Sequence, residues 1–410
     1  MKFNKLSQLF LVSILGLLAA ISLAGCLLVA VDYVFVTTST GATGDGQIQI
    51  YDVDAASGAL HTGTAAAVSS GGANPVALAV TSDYANLYVA NQGTSNNIVH
   101  FSIAASGALT LADTVSGLGT PVAIAVNKAG TYLFAVFQGT TATLAVIPLS
   151  SSGAMSGASV VPVQLTIPSY GGDTVVPTGV TALDNNSAVY VTAYDSSAYN
   201  PGGTVSSSNP NPGYLFGFTV GSGGALAATS GSPYEAGVKP VALTADPTSR
   251  FVYVTDFAES QMIGYTVLAN GTLQFFLAPP TATGREPNSV TFDPRGLFIY
   301  VTNELDATVT AYALNLGTGA PTQTNNSPIG SATSAINGTD PEPVAIAVEP
   351  ALGRFVFTAN YLGNSVSGFR LNPTSGALSA TQGTPYPVGQ SPTALLAVPH
   401  GNHATQSVTP

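Results

Sequence analysis

Three short sequence markers recur seven times each along the chain, and a period of this kind constrains the fold more than any single residue does. The first is a Pro followed by small and β-branched residues, as in Pro75-Val76-Ala77-Leu78, Pro121-Val122-Ala123-Ile124, Pro177-Thr178-Gly179-Val180, Pro240-Val241-Ala242-Leu243, Pro287-Asn288-Ser289-Val290, Pro343-Val344-Ala345-Ile346 and Pro392-Thr393-Ala394-Leu395. The second is an aromatic and β-branched run ending in small or polar residues, such as Tyr33-Val34-Phe35-Val36-Thr37, Val252-Tyr253-Val254-Thr255-Asp256 and Ile299-Tyr300-Val301-Thr302-Asn303. The third is a Gly turn, for example Ser57-Gly58-Ala59-Leu60, Ser106-Gly107-Ala108-Leu109 and Ser375-Gly376-Ala377-Leu378. Successive prolines of the first set lie 46, 56, 63, 47, 56 and 49 residues apart. That spacing suits one four-stranded propeller blade plus variable loops.

Each unit reads as strand A after the Pro, strand B on the aromatic run, an alternating strand C such as Thr308-Val309-Thr310-Ala311-Tyr312-Ala313-Leu314, and strand D after the Gly turn. The predicted fold is therefore all-β: a seven-bladed β-propeller of four-stranded antiparallel blades. The chain enters on a second-type marker at Tyr33 and finishes on a first-type marker at Pro392, so Thr393 to Val398 should complete the blade that the N-terminal segment begins. A ring closed by one blade shared between the two ends follows; an open solenoid has no reason to divide a repeat this way.

Composition agrees and excludes some functions. Nine Lys+Arg against 20 Asp+Glu give a net charge of −11, so the chain lacks the basic field that nucleic acid requires. With 45% hydrophobic residues it can bury a core, which disordered chains cannot.

The first residues read as a targeting segment, with Lys2 and Lys5 ahead of an apolar run from Leu9 to Leu23. The run ends in Leu23-Ala24-Gly25-Cys26, which is similar to the site at which bacterial lipoproteins are lipidated and cleaved, and Cys26 is the only cysteine. A plain transmembrane anchor continuing through Val31 is the other reading. The expected organisation is a signal peptide over 1–25, a lipidated Cys and tether over 26–32, the propeller over 33–398 and a tail over 399–410. The expected location is extracytoplasmic and membrane-anchored; Leu27 after the cysteine favours an outer location in a cell with two membranes.

The repeats resemble the seven-bladed lactonase-type propellers with Tyr-Val-Thr-Asn repeats, which include phosphogluconolactonase-like enzymes that open lactones and many surface proteins without known chemistry. The likeness spans about Tyr33 to Val398, and Ile299-Tyr300-Val301-Thr302-Asn303 is its plainest copy. It implies a Pro-Arg-His element opening one strand A and, later in that blade, Asn-Glu-Leu followed by Thr-Val. Asn303-Glu304-Leu305 and Thr308-Val309 match, but Asn288 and Ser289 stand where Arg and His are expected, and Lys239-Pro240-Val241 lacks the His of the preceding blade.

Up-and-down pairing brings the residues before strand A and after strand B to one end of the ring, the top face. It should collect Asn74, Asn91, Gln138, Tyr194, Lys239, Asp256, Arg285, Glu286, Asn303, Glu304, Asp306, Glu342, Asn360 and Tyr361. Two readings stay open: a non-catalytic surface that binds a small ligand or protein partner, with Asp256, Glu286, Asn303, Asp306, Glu342, Asn360 and Tyr361 as its rim; or a hydrolase of a sugar lactone or related cyclic ester, with Glu304 as general base and Arg285 or Lys239 as the cation over the carbonyl. No metal site and no cofactor are expected. His61, His100, His400 and His403 fall in outer strands or the tail, there is no Gly-x-Ser-x-Gly elbow, and the absence of Trp argues against quinone-cofactor propellers. An ion held in the channel by carbonyls and carboxylates stays open. Two insertions, Tyr194 to Gly213 and Thr322 to Asp340, should project from the top, the first with Tyr194, Tyr199 and Tyr214 as recognition residues.

Overall fold

The aromatic runs become the second strand of every blade because their side chains alternate between two neighbouring blades. In the computed structural model, Val34 and Val36 face blade 7, while Tyr33 and Phe35 join the core shared with blade 2. The structure describes residues 30–39, 44–63, 65–93, 97–156, 161–167, 174–200, 204–276, 279–330 and 342–399. Cys26, the targeting segment, His400 and His403 lie outside them, as does most of the Thr322 to Asp340 insertion.

Seven antiparallel sheets follow the A-B-C-D order of the markers. Blade 1 combines Pro392–Pro399 as strand A with Ala30–Thr38 as strand B, paired from Asp32↔Pro399 to Thr38↔Pro392, so one blade joins the two ends of the ring as expected. Strand B starts at Ala30, three residues ahead of the expected Tyr33, and so takes in part of the expected tether. The first strands of the other blades are Pro75–Val80, Thr120–Val126, Val175–Ala182, Pro240–Ala245, Pro287–Phe292 and Pro343–Val348. They pack side by side in order, the last on blade 1 and blade 1 on the first, around a central axis.

Each interface between blades explains why the second and third markers recur together. The aromatic residue of one strand B rests on the Gly turn of the next blade. Tyr88, Tyr190 and Tyr300 donate their hydroxyls to the carbonyls of Gly153, Gly271 and Gly376 at 2.6, 2.7 and 3.0 Å, and Tyr253 does the same to Gly319. A Cβ on Gly376 would lie 2.2 Å from the Phe298 ring, and one on Gly58 2.4 Å from the Phe355 ring. Both glycines also hold positive φ, so no larger residue fits there.

Strand D departs from the expectation. In blades 4 to 7 the edge of strand C first pairs a three-residue strand and then, after a loop, a two-residue one, as with Leu378–Ala380 and Tyr386–Pro387. In blades 4, 6 and 7 the loop carries a repeat that the three markers missed: Thr229-Ser230-Gly231-Ser232-Pro233, Thr324-Asn325-Asn326-Ser327-Pro328 and Thr381-Gln382-Gly383-Thr384-Pro385. Its second hydroxyl accepts the strand C N–H that the interrupted ladder leaves over, at 3.0 Å for Ser232 with Gly217, 2.8 Å for Ser327 with Ala311 and 2.9 Å for Thr384 with Gly368.

Candidate functional site

The top face is built by one backbone pattern. The residue after strand B donates its N–H to the carbonyl of the residue before the strand A proline: Ser39 to Ser391, Gln92 to Asn74, Phe257 to Lys239, Glu304 to Glu286 and Tyr361 to Glu342, all at 2.8–3.1 Å. Asn74, Glu286, Glu342 and Ser391 are held at φ of 46–55°, a left-handed conformation that costs a non-glycine residue roughly 1 kcal/mol. One residue further, every strand A carries a bulge just after its proline, between Pro287 and Ser289 in blade 6 for example. A bulge re-aims the side chain of its extra residue. The bulged residues are valine in four blades, Val76, Val122, Val241 and Val344, and threonine in two, Thr178 and Thr393. In blade 6 the bulged residue is Asn288, and its amide donates to the Glu304 carboxylate.

Glu304 is therefore held from two sides, by its backbone bond to Glu286 and by the Asn288 amide. Burial pushes its carboxyl above the usual range; the charges of Glu342 and Glu286 add to that, while the Asn288 hydrogen bond and Lys239 oppose it. Lys239 comes from blade 5, with its ammonium 4.0 Å from the centre of the Phe257 ring and 5.8 Å from that of Tyr199. Burial lowers the lysine pKa, and Glu304 and Glu286 resist the shift. Blades 5 to 7 thus bring Lys239, Glu286, Asn288, Glu304 and Glu342 into one electrostatically coupled group.

Arg285 does not join it. Its side chain is exposed, and it grips Asp306 through its Nε at 2.6 Å and its backbone N–H at 2.8 Å. Burial alone would raise Asp306, but the two Arg285 hydrogen bonds and the guanidinium charge outweigh it and hold the carboxyl below its usual range. The two form a rim pair.

Three residues expected at the rim are structural. Asp256, Asn303 and Asn360 end their strands fully buried. Asp256 accepts the N–H groups of Val238 and Lys239 at 3.0 and 2.9 Å and so orients the lysine from behind. Asn303 accepts the Gly284 N–H at 3.0 Å and donates to Thr308 and Thr310 at 2.9 and 2.8 Å. Asn360 donates to Ser365 and Ser367 at 3.0 and 2.9 Å. An Asx side chain at this position ties strand B to strand C and the preceding loop, which leaves nothing to present to a ligand. Tyr361 remains exposed beside Leu362.

The Tyr194 to Gly213 insertion contains a small hairpin, Tyr199–Asn200 with Thr204–Val205. Its tyrosines are packed more than displayed. Tyr199 and Tyr214 are buried, Tyr194 meets Tyr199 edge to face at 5.7 Å, and Tyr214 accepts a 3.2 Å bond from Asn209. Tyr199 nevertheless reaches the site as the second ring over Lys239.

Among the described residues no group of three or more His, Cys, Asp or Glu could hold a metal ion. His100 is buried, with Asp113 at 2.8 Å on one ring nitrogen and Asn86 at 2.9 Å on the other. A groove of about 580 Å³ on the flank of blades 4 and 5, lined by Pro233, Tyr234, Glu235, Gln261, Tyr265 and Phe275, shares no residue with the glutamate cluster.

The family "Lactonase, 7-bladed beta-propeller" matches residues 29–169 and 229–403. The unmatched stretch between them holds blade 4 up to Ala228, with the Tyr199 hairpin. No curated protein sequence matches the chain. Among solved structures, the periplasmic gluconolactonase of Pseudomonas aeruginosa superposes with a TM-score of 0.71 at 20% identity, covering 90% of this chain and 99% of that one. A candidate 6-phosphogluconolactonase of Bacteroides uniformis gives 0.71 at 16% identity over 90% and 100% of the two chains. Another from Bacteroides fragilis gives 0.69 at 18% over 91% and 99%. At these identities the likeness is one of fold.

Proposed function

The chain belongs to the seven-bladed lactonase propeller family, and from that premise we propose that its top face binds a sugar lactone or related cyclic ester and hydrolyses it at Glu304. The observation that carries this reading is the half-buried Glu304 held by the Asn288 amide, with the Lys239 charge acting on it. A carboxylate with a raised pKa is a stronger base, and one oriented by an amide can be aimed at water. In the step this supports, Glu304 takes a proton from a water whose oxygen attacks the lactone carbonyl carbon. Lys239 stabilises the negative charge that develops on the carbonyl oxygen. The ring C–O bond then breaks, and the leaving alkoxide takes the proton back from Glu304, giving the open hydroxy acid.

A second reading, binding without catalysis, is favoured by Asn288 and Ser289 standing where the family resemblance leads to Arg and His. Hydrolysis of a panel of neutral lactones by the protein and by Glu304→Gln separates the two. Turnover that falls at least roughly a hundredfold in the variant supports the hydrolase; no turnover, or equal rates, supports the binding surface.

We also propose that the protein is exported and lipid-anchored through Cys26. Strand B of blade 1 begins at Ala30 on the end of the ring opposite Glu304, so a tether from Cys26 would direct the site away from the membrane. Labelled fatty acid should be incorporated into the protein and lost in Cys26→Ser; equal labelling of both refutes the anchor.

A further inference from the structure

We propose that the groove between blades 4 and 5 is a second binding site, built for a short neutral saccharide, and that it works whether or not lactones are hydrolysed on the top face. Its volume of about 580 Å³ falls in the range of small-molecule sites, roughly 300–1,000 Å³. The other blades show how it arises. Where strand D first pairs strand C, the residue opposite the strand C aromatic is Ala228 in blade 4, Gln323 in blade 6 and Ala380 in blade 7, but Phe275 in blade 5. The Phe275 ring is 47% exposed and meets Tyr265 edge to face at 6.0 Å. One residue further, Phe276 takes the place of the repeated Thr, and Pro279-Pro280 follow where blades 4, 6 and 7 have Ser-Pro or Thr-Pro. Blade 5 therefore lacks the hydroxyl loop, and it lines the groove with an aromatic ring and a proline, Pro280. The facing wall is Pro233, Tyr234 and Glu235 of blade 4, joined by Asn211 from the insertion ahead of strand C.

The polar groups select the ligand. Among the described residues that line the groove none is cationic, so an anion has no counter-charge there. Both tyrosine hydroxyls are spent inside the protein. Tyr265 donates to the Glu235 carbonyl, while Tyr234 donates to the Ser230 carbonyl at 2.8 Å and accepts the Leu273 N–H at 3.2 Å. A proline-rich segment, whose backbone offers mainly acceptors, would find few donors. Gln261 likewise commits its amide nitrogen to Asp256 at 3.1 Å. The wall then offers the exposed Glu235 carboxylate, the Gln261 amide oxygen and the exposed Asn211 amide, three planar groups rich in acceptors. A saccharide matches both kinds of surface: its hydroxyls donate to these groups, and the C–H face of its ring packs on Phe275 and the prolines. A small organic cation would want several open ring faces, and Tyr265 is only 2% exposed.

Titration of maltotriose, cellotriose and di-N-acetylchitobiose into the full chain, followed by NMR of its labelled isoleucine methyl groups, tests the proposal. At least one should bind with a Kd of about 1 mM or tighter and shift the signal of Ile263, which lines the groove and is assigned by its loss in Ile263→Val. Raising salt from about 50 to about 500 mM should leave that Kd within about twofold, because the ligand is uncharged. Phe275→Ala should weaken binding at least about fivefold, and Asn211→Ala at least about threefold. No binding, binding that leaves the Ile263 signal in place, a strong salt dependence, or a Phe275→Ala protein that binds as tightly as the unaltered one overturns the proposal. Choline or decaproline shifting the same signal at lower concentration also overturns it, and gives the groove to a cation or a proline-rich segment. Where a variant fails to fold, the Ile263 shift and its salt response in the unaltered protein decide alone.

Discussion

Replacing Asp32 by Asn should stabilise the propeller at neutral and alkaline pH and change little near pH 4. Asp32 lies near the start of strand B of the ring-closing blade, opposite Pro399, fully buried, and neither carboxylate oxygen has a hydrogen-bond partner. Burial first, then the charge of Glu349 in blade 7, pushes its pKa up to about 9 from 3.8, with Arg354 pulling weakly the other way. The folded chain therefore holds a proton that the unfolded chain releases above about pH 4, so stability is greatest below that point and falls as pH rises toward 9. Each pH unit in this window costs up to about 1.4 kcal/mol, which gives roughly 4 kcal/mol at pH 7; local relaxation and water entry reduce this to about 2 kcal/mol. Asn keeps the shape without the proton, and so removes the pH-dependent loss. For a domain of about 370 residues unfolding with about 2.1 cal/mol/K per residue, 2–4 kcal/mol corresponds to a Tm gain of about 3–5 °C. Melts of both proteins at pH 5, 6, 7 and 8 measure it, and the difference between them cancels every other titrating group. A Tm difference that stays flat with pH, or that falls as pH rises, refutes the reasoning.

Lactone hydrolysis should rise with pH through an apparent pKa above the usual carboxylate range, as Glu304 ionises, and fall again below the usual lysine range as Lys239 loses its charge; a pH-rate profile of kcat/KM checks both limbs, and Lys239→Met should flatten the alkaline one. Arg285→Ala should leave kcat/KM within about twofold, because its partner is the rim carboxylate Asp306, and a rate assay at fixed pH decides this. Tyr300→Phe should cost about 1 kcal/mol in urea unfolding by removing the hydroxyl bond to Gly376, whereas Gly376→Ala should cost more, since its Cβ would enter the Phe298 ring.

The repeat period, the strand order and the shared closing blade were all legible in the linear chain. A propeller repeats one hydrophobic and turn pattern per blade, and local periodicity survives in sequence. So did the Glu304 neighbourhood, since the residues before strand A and after strand B meet wherever antiparallel pairing holds. The role of each polar side chain was not legible. Asn303, Asn360 and Asp256 look like rim residues in sequence, yet the fold buries them and spends them on backbone and threonine partners. Arg285 and Lys239 are equivalent cations on paper; a nearby Asp306 takes one out of the cluster, and the rings of Phe257 and Tyr199 hold the other in it. The split outer strand left a sequence trace, the repeated Thr-x-x-(Ser/Thr)-Pro, but its meaning rests on a hydroxyl meeting an orphan N–H across the strand.

Asp32 marks the boundary between the two kinds of information. By itself the sequence determined the architecture, because seven copies of one pattern can bury their apolar faces only against one another in a ring. The tertiary structure alone decided which charges are neutralised, which are stranded and which act together, because a charge takes its energy from neighbours brought in from other blades.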